Sequence, residues 1–317
     1  MKPETLLSGR ACVLGIDGGG SKTLALVAAA DGEVLGRGEA GPSNYQVTGL
    51  EAALASLEAA AEAALVSAGR DRTDLVAACV GLAGVARPTD RKRLAAWAEH
   101  FLPRVPVMIA NDAQLVMAAG TLHGWGVAVI CGTGSIALGR SPDGRSARAG
   151  GWGYLLGDEG SGYAIGLACL RAVLRAYDGR GPQTELTRLV LAHYGLDDPS
   201  GLVARTYEGA AAPASVAALA ALVEAAGLAG DAVARGILRD AGSELALAAR
   251  AVIQQLALAG PVPCGLAGGV IVKGTALRAA FVEAAAALGC DLAPVTLVSE
   301  PARGAVSLAR EQLAGNL

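Results

Sequence analysis

An apolar run that ends in a glycine-rich turn, followed at once by a second apolar run, occurs twice in this chain. The first copy is Val13-Leu14-Gly15-Ile16-Asp17-Gly18-Gly19-Gly20-Ser21-Lys22-Thr23, continuing into Leu24-Ala25-Leu26-Val27-Ala28. The second is Val127-Ala128-Val129-Ile130-Cys131-Gly132-Thr133-Gly134-Ser135, continuing into Ile136-Ala137-Leu138-Gly139. Two β-rich runs separated only by a short turn predict a β-hairpin, with glycines supplying the positive φ that a tight turn demands. A strand-loop-helix phosphate site would instead follow its loop with helical periodicity, and GxxxxGK[ST] is absent from the chain.

Helices and short strands alternate after each hairpin. Leu50, Ala53, Leu54, Leu57, Ala61, Ala64 and Leu65 recur at helical spacing and predict an amphipathic helix over residues 49–69. Residues 75–81 and 105–110 read as buried strands, and residues 161–177 and 231–259 as helices. Residues 265–272, 275–288, 295–299 and 301–314 continue as strand, helix, strand, helix. Turn formers crowd residues 195–213, which predicts a loop or a break between helices. The economical reading is an α/β chain of two similar halves, residues 1–120 and 121–300, with a ligand cleft where they face each other.

Composition narrows the classes. The 317 residues are enough for two domains of ordinary size. Hydrophobic residues make up 53% and aromatics only 3%, so the core is mostly Ala, Val and Leu, as packed helices and layers require. No run approaches the roughly 20 uninterrupted apolar residues of a membrane span, and residues 1–10 carry no export signal. With 26 Lys+Arg against 29 Asp+Glu, the chain lacks the basic footprint of a nucleic-acid binder. Cys12, Cys79, Cys131, Cys169, Cys264 and Cys290 are scattered, without a CxxC pair, and most sit in apolar runs. They read as buried thiols of a cytoplasmic protein, not as a disulfide framework or zinc site.

Several residues can carry chemistry. Gly18, Gly19 and Gly20 would let backbone N–H groups approach an anion, and with Ser21, Lys22 and Thr23 they form a candidate phosphate loop. Asp17 is placed to hold Mg²⁺ through water, since Mg²⁺ keeps much of its hydration shell; an ordinary tight hairpin is the competing reading. Gly132, Thr133, Gly134 and Ser135 repeat the device, so two loops could clamp a triphosphate. A third glycine turn, Gly268-Gly269, suits a flat base lying on bare backbone, or is a plain strand-end turn. Asn111-Asp112 ends an apolar strand, where Asp112 can act as general base or either residue can cap the next helix. Residues 150–162 hold six glycines, Trp152, Asp158 and Glu159. That density fits recognition of a hydroxylated ligand; the plainer alternative is a long hairpin with Asp158 or Ser161 as an N-cap.

Together these motifs resemble the BadF/BadG-type ATPase family and, within it, the N-acetylglucosamine kinases. The resemblance runs from Gly15 to about residue 308 and is most specific over residues 150–161, which read GGWG..LGDEGS. GIDGGGSKT, SNYQ, NDA and CGTGS precede it in the family's order. It implies the fold of actin, Hsp70 and hexokinase: two duplicated ribonuclease-H-like domains around a central ATP cleft, with the helix at residues 301–314 packing back on the first. It also implies a homodimeric, ATP- and Mg²⁺-dependent kinase for the 6-hydroxyl of an amino sugar. N-acetylglucosamine is the first candidate, and glucosamine or another hexosamine stays open. Carried over position by position, Asp112 matches the catalytic base. Asn44, Thr133, Gly151, Trp152, Gly153 and Asp158 match sugar contacts. Ser21 and its glycines match one phosphate loop, Gly132, Gly134 and Ser135 the other, and Gly268 and Gly269 the adenosine motif. Ala83 stands where those kinases have a sugar-contacting serine, which leaves the sugar's identity open.

Two other classes compete. An activase of acyl-CoA dehydratases would hold an iron–sulfur cluster between subunits, with Cys131 and Cys169 the nearest pair available. A sugar-sensing regulator would append a DNA-binding helix-turn-helix, yet about ten residues precede the first strand. ROK sugar kinases carry a cysteine-rich zinc motif with no counterpart in this sequence.

Overall fold

A computed structural model of the protein describes residues 9–20, 22–82, 88–121, 124–207 and 213–314. Among them, ten strands form two sheets of five. The first contains β1 (Cys12–Gly18), β2 (Thr23–Ala29), β3 (Val34–Ala40), β4 (Leu75–Leu82) and β5 (Val107–Asn111), in the order β3-β2-β1-β4-β5. The second contains β6 (Gly126–Cys131), β7 (Ser135–Arg140), β8 (Ser146–Gly150), β9 (Val262–Ala267) and β10 (Leu292–Val298), in the order β10-β9-β6-β7-β8. Each sheet is an antiparallel three-strand meander whose first strand pairs with a parallel fourth, and the fourth with a parallel fifth. The architecture is thus a duplicated α/β unit. One compact unit comprises Met1–His123 with Glu300–Leu317, and the other Gly124–Ser299.

Strand alternation explains the first unit's layers. Cys12, Leu14 and Ile16 of β1, with Ala25 and Val27 of β2, face a cluster closed by Leu57, Ala61 and Leu65 of the helix Leu50–Ala68 and by Trp97 and Phe101. Val13, Leu24, Leu26 and Ala28 face the other side, where Leu115 and the small residues Ala302, Ala305 and Ala309 close the layer. Period-2 side chains thus serve two helix layers at once, which is why these strands are apolar throughout. In the second unit, Val127 and Val129 share one core with the helices Gly162–Tyr177 and Ala232–Leu256. No single helix among the described residues is long and apolar enough to cross a membrane.

Both hairpins form, closed by the pairs Gly18–Thr23 and Cys131–Ser135. Contrary to expectation, the turns do not draw on positive φ at Gly18, Gly19, Gly20, Gly132 or Gly134. Three further differences concern boundaries. Each hairpin gains a third strand, β3 or β8, whose charged residues hid it in the sequence. The strand expected over residues 265–272 ends at Ala267 and gives way to a helical turn, Gly269–Lys273. A short helix, Gly201–Tyr207, occupies part of the turn-rich stretch.

Candidate active site

The parallel strands β1, β4 and β5 end at one edge of the first sheet, through the pairings Asp17–Gly81 and Leu82–Asn111. Asp17 and Asp112 therefore meet at that edge. Asn111 caps the helix Asp112–Gly120: its Oδ1 accepts from the Gln114 N–H (2.8 Å), and its own N–H donates to Gln114 Oε1 (2.9 Å). The capping box is complete without Asp112. Asp112 accepts the N–H of Ala113 (3.0 Å), and burial holds its carboxyl above the ordinary range against that bond and its own backbone N–H. Asp17 is pushed up to about 6, first by burial and then by the charge of Asp112, with Lys22 acting against both. Lys22 itself is exposed and pairs with Glu39 (3.2 Å). Two partly buried carboxylates in mutual repulsion are relieved by a cation. Mg²⁺ typically takes one or two carboxylates and completes its shell with water and phosphates, so it fits this pair. Among the described residues no group of three or more His, Cys, Asp and Glu side chains offers a fuller cage.

The first loop is braced from beneath. A Cβ at Gly18 would lie 2.4 Å from Ser43 Oγ, so glycine is required there by close approach. Ser43 donates its N–H to Gly19 O (3.0 Å), and the Thr23 hydroxyl lies 2.7 Å from Gly41 O and 2.9 Å from Ser43 Oγ. Thr23 and Ser43 are fully buried. The Thr23 hydroxyl is committed to these internal partners, which leaves its backbone as the part that could serve the phosphate loop. The hydroxyl fixes the chain at Ser43, and so the position of Asn44. Ser43 is thus an anchor that the sequence signals only by its place beside Asn44 in SNYQ. At Gly20 a Cβ would meet no atom within 4 Å, which leaves that backbone open to an anion. Ser21 and Ala83 lie outside the described residues.

In the second unit, residues 132–135 and 150–162 interlock. The N–H groups of Gly162 and Tyr163 donate to Gly132 O (2.9 Å) and Thr133 O (3.1 Å), and Ser135 Oγ donates to Glu159 O (2.7 Å). A Cβ at Gly134 would sit 2.5 Å from Asp158 Oδ2. Asp158 adopts a left-handed φ of 56° and accepts the Gly153 N–H (3.2 Å); burial raises its carboxyl while the N–H groups of Gly153 and Ser135 oppose that. Ser161, not Asp158, caps the helix Gly162–Tyr177 by accepting the Ala164 N–H (3.2 Å). The structure thus gathers Thr133, Gly134, Ser135, Gly153 and Asp158, with Gly151 and Trp152 on the same segment. Trp152 is 66% exposed, with the Arg148 guanidinium 4.3 Å above its ring. Gly268 packs on the backbone of Cys131. Gly269 borders a cavity of about 320 Å³ walled by Ile165, Ala217, Ala221, Leu238, Val270 and Leu277. Its alanine walls come from the helices Pro213–Ala218 and Ala220–Leu228, whose low-complexity sequence carried no sign of a site.

Residues 14–309 match the BadF/BadG/BcrA/BcrD ATPase family. The chain belongs to this family. It is 34% identical over 304 residues to the N-acetylmuramic acid/N-acetylglucosamine kinase of Clostridium acetobutylicum, covering 95% of this chain and 98% of that one. It is 35% identical over 255 residues to the N-acetyl-D-glucosamine kinase of Dictyostelium discoideum, covering 77% and 80%. A solved candidate N-acetylglucosamine kinase from Chromobacterium violaceum superposes with a TM-score of 0.70 at 32% identity, covering 94% of this chain and 99% of that one. The duplicated five-stranded sheets are those of the actin-like ATPase fold. As a BadF/BadG-type ATPase, the protein uses ATP. Its six cysteines are buried free thiols, and burial pushes those of Cys131 and Cys169 up to about 12.

Proposed function

We propose that this protein transfers the γ-phosphoryl group of ATP to the 6-hydroxyl of an amino sugar, with N-acetylglucosamine the first substrate. The kinase of Clostridium acetobutylicum, which matches nearly end to end, supports this reading. The observation that carries the chemistry is the division of labour at β5: Asn111 does the capping, and Asp112 is left with its carboxylate unspent. Burial raises its proton affinity above the ordinary carboxylate range, the direction that favours accepting a proton. Asp112 orients the sugar hydroxyl and takes its proton. The hydroxyl oxygen bonds to the γ-phosphorus while the bond from phosphorus to the bridging oxygen breaks, and ADP leaves. The protein's task in such a transfer is positioning and charge neutralisation.

In the first unit the proposed sugar contact is Asn44 and the nucleotide contacts are Gly18, Gly19, Gly20, Ser21 and Lys22. In the second, Thr133, Gly151, Trp152, Gly153 and Asp158 are proposed for the sugar, and Gly132, Gly134, Ser135, Gly268 and Gly269 for the nucleotide. The cavity beside Gly269 is large enough to bury a base. Asp17 would hold Mg²⁺, which supplies charge neutralisation to the phosphates. A cluster-bearing activase is disfavoured, because Cys131 and Cys169 are fully buried in the apolar core of the second unit, where neither thiol reaches a surface that a partner subunit could share. Reduced, buried cysteines suit the cytoplasm. We assign a homodimer by resemblance, and light scattering checks it.

The test couples ADP release to a panel of glucose, glucosamine, N-acetylglucosamine and N-acetylmuramic acid. Turnover is expected with N-acetylglucosamine, and Asp112→Asn should lower kcat by about 10²–10⁴-fold. No ADP release with any amino sugar would end the kinase reading. Full turnover in Asp112→Asn would reduce that residue to a helix-terminal carboxylate.

A further inference from the structure

The cavity beside Gly269 has one acidic wall residue. Glu224, on the helix Ala220–Leu228, lines it with Ala221 of the same helix, while Gly274 and Leu277 line it from the helix Thr275–Ala287 and the turn before it. The helix Thr275–Ala287 has no cap of its own, since Gly274 stands at its N-cap and offers no side chain. Glu224 supplies the acceptors from 51 to 53 positions away: its Oε1 accepts the Ala276 N–H (2.6 Å) and the Thr275 hydroxyl (3.2 Å), and its Oε2 accepts the Leu277 N–H (3.3 Å). A Cβ at Gly274 would lie 3.1 Å from Glu224 Oε2 and 2.7 Å from Val270 O, so the turn is packed against the carboxylate. Arg278 holds the stretch before that turn, donating from Nη1 to Ile271 O and Val272 O (both 3.0 Å). Among the described residues Glu224 enters no ion pair, so its charge is given to the helix terminus, where the dipole favours it.

Capping alone needs only a serine or aspartate at the N-cap itself. Here glycine keeps that place, and the acceptor comes from another wall of the same cavity. We propose that Glu224 is a positioning residue for the nucleotide: by tying the start of Thr275–Ala287 to Ala220–Leu228 it sets the width of the cavity, and so governs how tightly the base is held without touching the phosphates. The proposal rests on the assignment of this cavity to the base. Width matters because a flat ring is held by contact on both faces, and a gap of about 0.5–1 Å already forfeits a quarter to a half of that attraction.

The experiment measures, by titration calorimetry with Mg²⁺ present, the Kd of ATP and of tripolyphosphate, which lacks base and ribose, together with kcat and both KM values. The proteins are the wild type, Glu224→Ala, Glu224→Gln, Thr275→Val and Ala221→Leu, the last of which fills the cavity and reports whether the base lies there. In Glu224→Ala the Kd of ATP should rise about 10- to 100-fold, the range for losing hydrogen bonds to a charged group. Tripolyphosphate binding, kcat and the KM of N-acetylglucosamine should stay within about twofold, as when only ground-state nucleotide binding is lost. Glu224→Gln keeps an acceptor without the charge and Thr275→Val removes one donor; each should raise the Kd of ATP by about 2- to 10-fold and stay folded even where Glu224→Ala does not. ATP binding unchanged in the Glu224 variants but abolished by Ala221→Leu would make Glu224 a helix cap and overturn the proposal. An equal loss for ATP and tripolyphosphate, or a matching rise in the KM of the sugar, would overturn it too. ATP binding untouched by Ala221→Leu would move the base elsewhere, and the inference would fall with that assignment. A protein that binds ATP but phosphorylates no sugar fails the kinase reading alone, because the calorimetric comparison does not depend on turnover.

Discussion

Asp17 carries a charge that the fold does not want. Its proton affinity in the folded state, pushed up to about 6, exceeds that of an unfolded aspartate near 3.9. The folded state therefore binds the proton more tightly, so this residue's penalty is absent below about pH 4 and grows as pH rises through about 6. Without Mg²⁺, Asp17→Asn should stabilise the protein by about 1–3 kcal/mol at pH 7.5 and by nothing measurable at pH 4. Melting curves across that range check it, and a gain of equal size at every pH would deny the electrostatic origin. The same variant should lose turnover, as stabilised active sites do. Thr23 makes the opposite case. Its hydroxyl bonds are internal, so Thr23→Val should cost about 1–3 kcal/mol of stability. It should also raise the KM of the sugar more than that of ATP, because what it loosens is Ser43 and then Asn44. A rise confined to ATP would return Thr23 to the phosphate loop.

At the scale of elements, the apolar alternation in β1, β2 and β4 and the 3.6-residue period of Leu50–Ala68 were readable because each buries a face. β3 and β8 were not, since Arg37, Glu39 and Arg148 interrupt a pattern that only pairing to the hairpin completes. The sequence could place Asn111 and Asp112 at a strand end, but it could not say which of them caps. That choice depends on Gln114 reaching back to the Asn111 N–H. The glycines of the first loop likewise looked like turn formers. What Gly18 answers to is Ser43, 25 positions away, and no local rule carries that contact. The helix Ala302–Ala314 shows the same dependence on distant partners. A Cβ at Gly304 would lie 1.9 Å from Leu115 O, so the two helices touch backbone to backbone. Gly304→Val should push them apart and cost about 2–4 kcal/mol, in the upper range for overpacking. A melting temperature within about 1 °C of wild type would show that this contact yields freely.

The whole chain is a duplication with one unequal feature. Gly124–Ser299 is continuous in sequence, whereas the first unit takes its last helix from beyond residue 299. That helix supplies Ala302, Ala305, Val306 and Ala309 to a layer otherwise made by Val13, Leu24, Leu26, Val76 and Ala77, and Glu300 at its start accepts from Arg37 (3.1 Å). Removing residues 300–317 strips an entire apolar face of the first sheet, a loss comparable with the 5–15 kcal/mol that holds a domain folded. The second unit loses none of its own core residues. Calorimetry of the full chain should therefore differ from that of a chain ending at Ser299 in one specific way. The truncated chain should lose the first unit's transition, along with amide protection in β1 and β4, and keep a cooperative transition with protection in β6 and β9. Loss of protection in both sheets would mean that the units fold as one and that the division is geometric only. Protection retained in β1 would mean that Leu115 and its neighbours close the layer without the C-terminal helix.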